Sequence, residues 1–319
     1  MTLFLSDNSI YAKDFERLVA ANSKDTAMQA LLLNHAYLLI LVTFGVMEAV
    51  QGRHDSAKAD RNETILDTVS IALPLIDRPI IYFAVLWLAL SLAPQYQNAL
   101  KDWPWYAWAP VYLVGEDMLQ YWWHRLGHTK YTWIWHRAHH SAPYMGARMT
   151  FRNGFLYSFF MPNVWTGVIF VYLGAGGFAA AYGLLKILVI IGAHSETRWD
   201  QYLYKSKPLQ PLAWIIERTI STPATHFAHH ALSEGDGVGH YSGNFGNLLF
   251  FWDVLFGTAL ITRKYPPAFG VENDLRYGRE RWWVQLLFPL FQSKREASEF
   301  NDPTLWFRRS STPAPAAAE

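Results

Sequence analysis

Residues 155–173 and 177–193 form two apolar runs joined only by Gly174, Ala175 and Gly176. A link that short, without a polar side chain, closes a helical hairpin and cannot hold a domain between its arms. Each arm falls in the range of roughly 17–25 residues that an α-helix needs to cross a bilayer. Three further runs have comparable length, at 31–50, 79–93 and 103–123. The second extends back toward Pro74 if the polar pair Asp77 and Arg78 is accommodated. Each run could instead be a buried helix of a soluble protein, but most soluble helices are shorter. Composition agrees with lipid contact. Apolar residues make up 51% of the 319 and aromatics 16%, with fifteen Trp, against 17% charged where about a quarter is usual. Mean hydropathy is only +0.02, so a sizeable aqueous part accompanies the spans.

Charge sets the expected orientation. Residues 51–63 carry Arg53, Lys58 and Arg61, and residues 124–154 carry Arg125, Lys130, Arg137, Arg148 and Arg152. The loop 94–102 holds only Lys101, and the hairpin tip has no basic residue. With five spans, both basic segments and the C-terminal part fall on the cytoplasmic side. The first thirty residues contain Asp7, Lys13, Asp14, Glu16, Arg17, Lys24 and Asp25, so no cleavable signal core is expected. Residues 205–211 read as a Pro-punctuated loop, and 214–219 begin a helix. Residues 282–291 (WWVQLLFPLF) are too short to span and read either as an interfacial helix with a Trp anchor or as a core-packed one. The tail 310–319 reads as disordered. A net charge of +1 without a basic stripe excludes nucleic acid as a partner.

Cysteine is absent, which removes disulfides, thiolate metal sites and Cys nucleophiles together. Any metal must be held by His, Asp or Glu. Eight of the twelve histidines sit in 124–140 and 226–230, where random placement would put fewer than one. His124 and His128 lie four apart and share a helix face. His136, His139 and His140 follow at i, i+3 and i+4, and His226, His229 and His230 repeat that spacing. An adjacent pair with a third His one turn earlier can send imidazoles to two neighbouring ions. A lone His is more often a satisfied polar residue, but eight in matched spacings point to metal ligation. His194, just past the fifth run, is the ninth candidate. His240 is divided between a ligand and a hydrogen-bonding role, and His35 and His54 have no box partner. Asp117 returns to the face of His124 after seven residues. A carboxylate inside a span is functional by default, and its expected role is to orient a ligating imidazole through the other ring N–H. Glu116 points elsewhere and is the weaker candidate. Glu196 is a candidate ligand or orienting partner of His194. Lys186 is expected to snorkel.

These residues resemble a known family, the integral-membrane fatty acid hydroxylase and sterol desaturase superfamily. The resemblance rests on DMLQYWWHRLGH at 117–128, WHRAHHSAP at 135–143, the isolated His194, HFAHH at 226–230 and NFGNLLFFWDVLFGT at 244–258. It implies an all-α fold: a multi-span integral-membrane helical bundle with a cytosolic His-rich helical cap that holds two iron ions (Fe2+), with zinc a possible substitute in purified protein. The ligand positions it matches are His124, His128, His136, His139, His140, His194, His226, His229 and His230. Asp117, Asn244 and Asp253 match supporting positions. The chain departs from the pattern at Glu196, where many relatives have Asn, and at Val254, where the family has Arg.

The organisation expected is an N-terminal segment at 1–30, transmembrane helices at 31–123, a His-rich catalytic region at 124–260 and a C-terminal interfacial segment with its tail at 261–319. The implied activity is oxidation of a C–H bond of a lipid (fatty acyl, sterol or ether lipid) with O2 and electrons from a separate donor protein. Hydroxylation and desaturation are not separated by sequence, and hydroxylation is favoured. The absence of a C-terminal retention signal points to a bacterial inner membrane. The rival classes are a His-ligated zinc hydrolase of the membrane, a metal transporter and a non-catalytic metal-binding membrane protein. A zinc hydrolase site usually needs three protein ligands rather than eight or nine.

Overall fold

A computed structural model of the chain describes residues 35–53, 60–302 and 304–307. The N-terminal segment, His54 and the tail 310–319 lie outside the described residues. In chain order the helices are α1 (His35–Val50), α2 (Arg61–Ala72), α3 (Pro74–Leu92), α4 (Trp105–Gly127), α5 (Trp133–His140), α6 (Phe155–Phe159), α7 (Pro162–Tyr172), α8 (Gly176–His194), α9 (Asp200–Lys205), α10 (Gln210–Thr219), α11 (Pro223–His229), α12 (Phe251–Phe256), α13 (Glu272–Tyr277), α14 (Trp282–Leu287) and α15 (Thr304–Phe307). Among the described residues there is no strand, only isolated bridges between Ile220 and Leu249 and between Ala231 and Phe269. The architecture is all-α.

Three helical stretches are long and apolar enough to cross a membrane: Arg61–Leu92, Phe155–Tyr172 and Gly176–His194. The first begins earlier than the basic-loop reading of 51–63 allowed. Asp60 caps it by accepting from the Glu63 N–H at 2.9 Å, satisfying a donor that a helix start leaves unpaired. Leu73 keeps right-handed helical dihedrals, so α2 runs on into α3. The stretch 155–173 is broken at Met161 and restarts at Pro162, where proline suits the first turn. The hairpin between α7 and α8 closes through Gly174 at φ +89°.

The α4 helix has 23 residues and spans about 34 Å, yet it does not join the apolar class. One face carries Val111, Val114, Leu119 and Trp122 outward, whereas Tyr112, Glu116, Gln120 and His124 are buried at four-residue intervals. That polar stripe faces the bundle interior. Around it, Ile81, Val85 and Leu90 of α3 pack against Val164, Val168 and Tyr172 of α7. Tyr112 of α4 meets Ala179 and Tyr182 of α8. Lipid would cover the outward apolar side chains Ile76, Ile80, Trp87, Leu185 and Leu188.

The segments after the spans form a cap tied by buried ion pairs. Arg152 reaches Glu63 at 2.6 Å and also bonds Asp67 and Tyr144. Arg137, inside the second His box, bonds Asp274 at 2.6 Å and Glu299, fastening the C-terminal part beneath the box. Residues 205–211 are more ordered than a Pro-punctuated loop. They form a 3-10 turn at Lys207–Leu209, and α10 starts at Gln210 because Pro211 fits its first turn. In α14, Val284 and Leu286 are buried, while Leu290 and Phe291 beyond it are exposed.

Candidate metal centre

The C-terminal ends of α4, α5, α8 and α11 converge, and each carries histidines. A helix C-terminus bears the negative end of the peptide dipoles, so four such ends favour cations between them. The structure brings all nine sequence-selected imidazoles together in two adjoining groups. His124, His128, His136, His140 and His229 make one, and His139, His194, His226 and His230 the other. Within each group the ligand-capable atoms lie within 4.8 Å of one another. The i, i+3, i+4 boxes deal their rings alternately: His139 goes to one group and His140 to the other, as do His230 and His229. The groups touch where the rings of His140 and His230 stack at 4.3 Å.

The ring orientations are fixed from behind. His124 Nδ1 donates to the Phe245 carbonyl at 2.6 Å, His194 Nδ1 to Ile190 at 2.7 Å and His229 Nδ1 to Gly243 at 2.7 Å. His136 Nδ1 bonds Asn153 Oδ1 at 2.9 Å. A carbonyl can only accept, so the proton sits on Nδ1 and the Nε2 lone pair faces inward. The inward nitrogens are close: His229 to His124 at 3.0 Å, His194 to His139 at 3.1 Å and His226 to His194 at 2.8 Å. His124 and His229 thus face each other with two bare lone pairs. A shared cation relieves that opposition. Nitrogens each about 2.1 Å from one ion stand about 3 Å apart.

Burial, reinforced by neighbouring imidazoles, pushes His136, His139, His140, His226, His229 and His230 well below the ordinary imidazole pKa. They are therefore neutral at physiological pH, which is the form that ligates. Neither group includes a carboxylate. An all-imidazole set suits iron, copper, nickel or zinc rather than magnesium or calcium, and five nitrogens exceed the four that tetrahedral zinc takes.

The loop after the third box does much of the positioning. Gly243 supplies the carbonyl for His229, and a Cβ there would stand 2.1 Å from His240 Nε2 and 2.4 Å from the Thr258 carbonyl. Asn244 holds φ +54°, donates to the Thr225 and Leu260 carbonyls and accepts from Leu260 N–H at 2.7 Å. It clamps α11 to the loop, and its side-chain hydrogen bonds go to backbone rather than to an imidazole. Asp253 accepts from the Phe245 and Gly246 amides and from Thr258, fixing the carbonyl that orients His124.

Several expectations resolve differently. Asp117 is buried, but it accepts from Leu249 N–H and Trp252 Nε1, both at 3.1 Å, and faces Lys186 at 3.4 Å. Its carboxylate bonds the segment that opens α12 rather than an imidazole. Glu196 pairs with Arg198 at 2.7 Å and stays out of both groups. Lys186 does not snorkel. It turns inward and places Nζ 2.8 Å from both oxygens of Glu116, since it faces the bundle rather than lipid. His240 bonds the Thr258 carbonyl at 3.1 Å and lies outside both groups, as does His35. Sequence reasoning missed Asn153 and Glu48. The latter accepts from Ala147 N–H, Ser195 Oγ and Glu196 N–H, bracing the turn after His194. The polar Arg152–Asn153 pair just before an apolar run was the available signal for the first.

A cavity of about 270 Å³ leads from His124, His136, His139 and His194 into the bundle between α3, α4, α7 and α8, with Tyr82, Val168 and Ala179 among its walls. Residues 109–258 match the fatty acid hydroxylase family model. The chain carries a fatty acid hydroxylase domain. That match supports the superfamily which the motifs resemble, and the matched segment contains all nine clustered histidines. The domain is also similar to the alkylglycerol monooxygenase of Xenopus tropicalis, at 27% identity over 175 residues, covering 54% of this chain and 34% of that protein. The chain thus spans about a third of the length of that curated relative. No solved structure matches it.

Proposed function

We propose that the protein is a membrane-bound, two-iron oxygenase that hydroxylates a C–H bond of a lipid using O2 and electrons from a separate donor protein. The observation carrying this reading is the placement of two imidazole groups at the head of a cavity that runs among membrane-type helices. Such a cavity admits an alkyl or sterol skeleton from the bilayer, while the cap faces water. Iron held by the nine imidazoles would supply O2 activation and the oxidation of an unactivated C–H bond.

The protein's own residues do the rest. Carbonyls of Phe245, Gly243 and Ile190, with Asn153, hold the rings of His124, His229, His194 and His136 in the tautomer that presents Nε2. Tyr157 stacks on His136 at 4.5 Å and shields that side from water. Asn244 and Asp253 fix the loop behind His229 and His124, and Asp117 fixes the start of α12. Glu196 holds Arg198 beside the turn after His194. The alkylglycerol monooxygenase likeness favours an ether lipid among the lipid classes, and the charge of residues 124–154 favours a cytoplasmic centre.

Metal analysis of the purified protein, combined with lipid turnover under O2 and under argon, tests the proposal. Two irons per chain and O2-dependent product are expected. Zinc alone, with ester cleavage that continues under argon, would establish a hydrolase instead.

A further inference from the structure

Along α4, Glu116, Gln120 and His124 follow one another at single helical turns, and along α8 Lys186, Ile190 and His194 do the same. Five of these six side chains are polar, and all six residues line the cavity. The contacts of Lys186 and Tyr182 with Glu116 set the two helices in register. Three levels result: the imidazoles at the top, Gln120 one turn below, about 6 Å along the axis, and the Glu116–Lys186 pair one turn below that.

The lowest level is already satisfied. Both Glu116 oxygens accept from Lys186 at 2.8 Å, and Tyr182 adds a bond at 2.5 Å. Gln120 differs. It is only 2% exposed, yet its carboxamide oxygen has no hydrogen-bond partner among the described residues. A buried acceptor left unpaired is destabilising, and a polar group that faces a cavity enclosed by membrane-type helices points to a substrate path. The chemistry of its partner is constrained. It must donate a hydrogen bond, and it cannot be an anion. A free carboxylate would bring only acceptors to a level already bordered by the Glu116 and Asp117 carboxylates, with Lys186 between them. A hydroxyl both donates and accepts, so it serves the carboxamide in either orientation.

We propose that Gln120 is a specificity-determining residue that binds a hydroxyl of the lipid substrate, selecting neutral hydroxyl-bearing lipids over free acids and hydrocarbons. The hydroxyl then sits a few bonds from the carbon presented to the metal centre, and the apolar remainder lies along Val164, Val168 and Ala179. This assignment rests on the oxygenase reading for its substrate class.

The test uses the full chain, loaded with iron, in nanodiscs, with bound lipid read by native mass spectrometry at equal mole fraction in the bilayer. The probes are 1-O-hexadecylglycerol against hexadecyl propyl ether, a 3β-hydroxysterol against its 3-deoxy counterpart, and palmitic acid. For at least one skeleton, the wild type should favour the hydroxyl-bearing member by about tenfold or more and bind palmitic acid weakly. Gln120→Met, similar in length but without the amide, should erase that preference with metal content unchanged. Gln120→Asn, which withdraws the amide by one methylene, should weaken it and serves if the Met variant does not fold. Equal binding of both members by the wild type, or a preference that survives both variants, overturns the assignment. If the hydroxyl preference depends on Gln120 but no O2-dependent product forms, the oxygenase reading fails and the binding role stands. If product forms and the preference ignores Gln120, the binding role fails alone.

Discussion

His139 and His140 are bonded neighbours, yet their rings stand at 84° to each other with centroids 5.5 Å apart and belong to different halves of the histidine cluster. Adjacent helical residues diverge by about 100°, so a single turn of α5 serves two centres. His229 and His230 repeat the device on α11. The two ions proposed here would therefore share rigid supports, and their separation would be set by helix geometry rather than by loops.

The division of rings predicts unequal consequences for the two substitutions. His139→Ala should leave its group with three imidazoles and release one of two ions. His140→Ala should leave its group with four, enough for a tetrahedral set, and retain metal better. Turnover should be lost in both, because the centres act together. Iron content per chain, measured on protein that still inserts into membranes, decides this. Full turnover with His139→Ala would exclude the ligand assignment.

Asn153 touches the centre only through His136 Nδ1, at 2.9 Å. Removing a group that orients a ligating imidazole typically costs 10–100-fold in metal affinity or activity. Asn153→Ala should fall in that range, and Asn153→Asp, which still accepts the proton, should recover most of it. Metal titration of the two variants compares them directly. Equal losses would show that Asn153 acts through packing alone.

The same burial that keeps the imidazoles neutral makes the metal-free fold acid-sensitive. Six of them have native pKa values pushed well below the ordinary 6.5. Below pH 6.5 the unfolded chain takes up protons that the native state refuses, so stability falls as pH falls. Above that value neither state is protonated and the dependence vanishes. The Tm of chelator-treated protein should be level from pH 8 to 7 and drop steeply below 6.5. A Tm that rises on acidification would contradict the buried, neutral cluster.

Arg137 lies between two candidate ligands but points away from them. It is fully buried between Asp274 and Glu299. Removing one partner of a buried ion pair typically costs about 3–5 kcal/mol, since the remaining charges stay buried. Arg137→Ala should lower thermal stability by that order and loosen the C-terminal part, read by proteolysis around residues 272–302. A surface-like effect below about 1 kcal/mol would show that the contacts are not formed.

The helices and the histidines were legible because their signals are local: bilayer-length runs for α3, α7 and α8, and the i, i+3, i+4 spacing for the boxes. What stayed hidden depends on partners distant in sequence. Nothing near His136 announces that Asn153, seventeen residues on, will meet its ring. Asp117 shares a helix face with His124, but periodicity gives direction and not reach, and its carboxylate ends at Trp252. Lys186 looked like a snorkelling residue because Glu116, seventy positions earlier, is placed beside it only by the packing of α4 on α8. The long helix Arg61–Leu92 is legible only from Pro79, or from Pro74 at the earliest, because the polar pair Asp77 and Arg78 interrupts the apolar run, although both residues lie within α3.

That α4–α8 contact yields the last prediction. Lys186 is 2% exposed and Glu116 likewise, and Asp117 adds a second carboxylate 3.4 Å from the same ammonium. Lys186→Met removes the ammonium that both carboxylates approach and leaves two adjacent buried acids without it. Glu116→Gln leaves Lys186 with Asp117 and should be milder. The double variant, Glu116→Gln with Lys186→Met, keeps only the Asp117 carboxylate and should be more stable than Lys186→Met alone, because it leaves one buried charge without its ammonium rather than two. Thermal unfolding of the three variants and the wild type in the same lipid measures the coupling. Additive losses would mean that the pair is solvated through the cavity rather than sealed in the bundle.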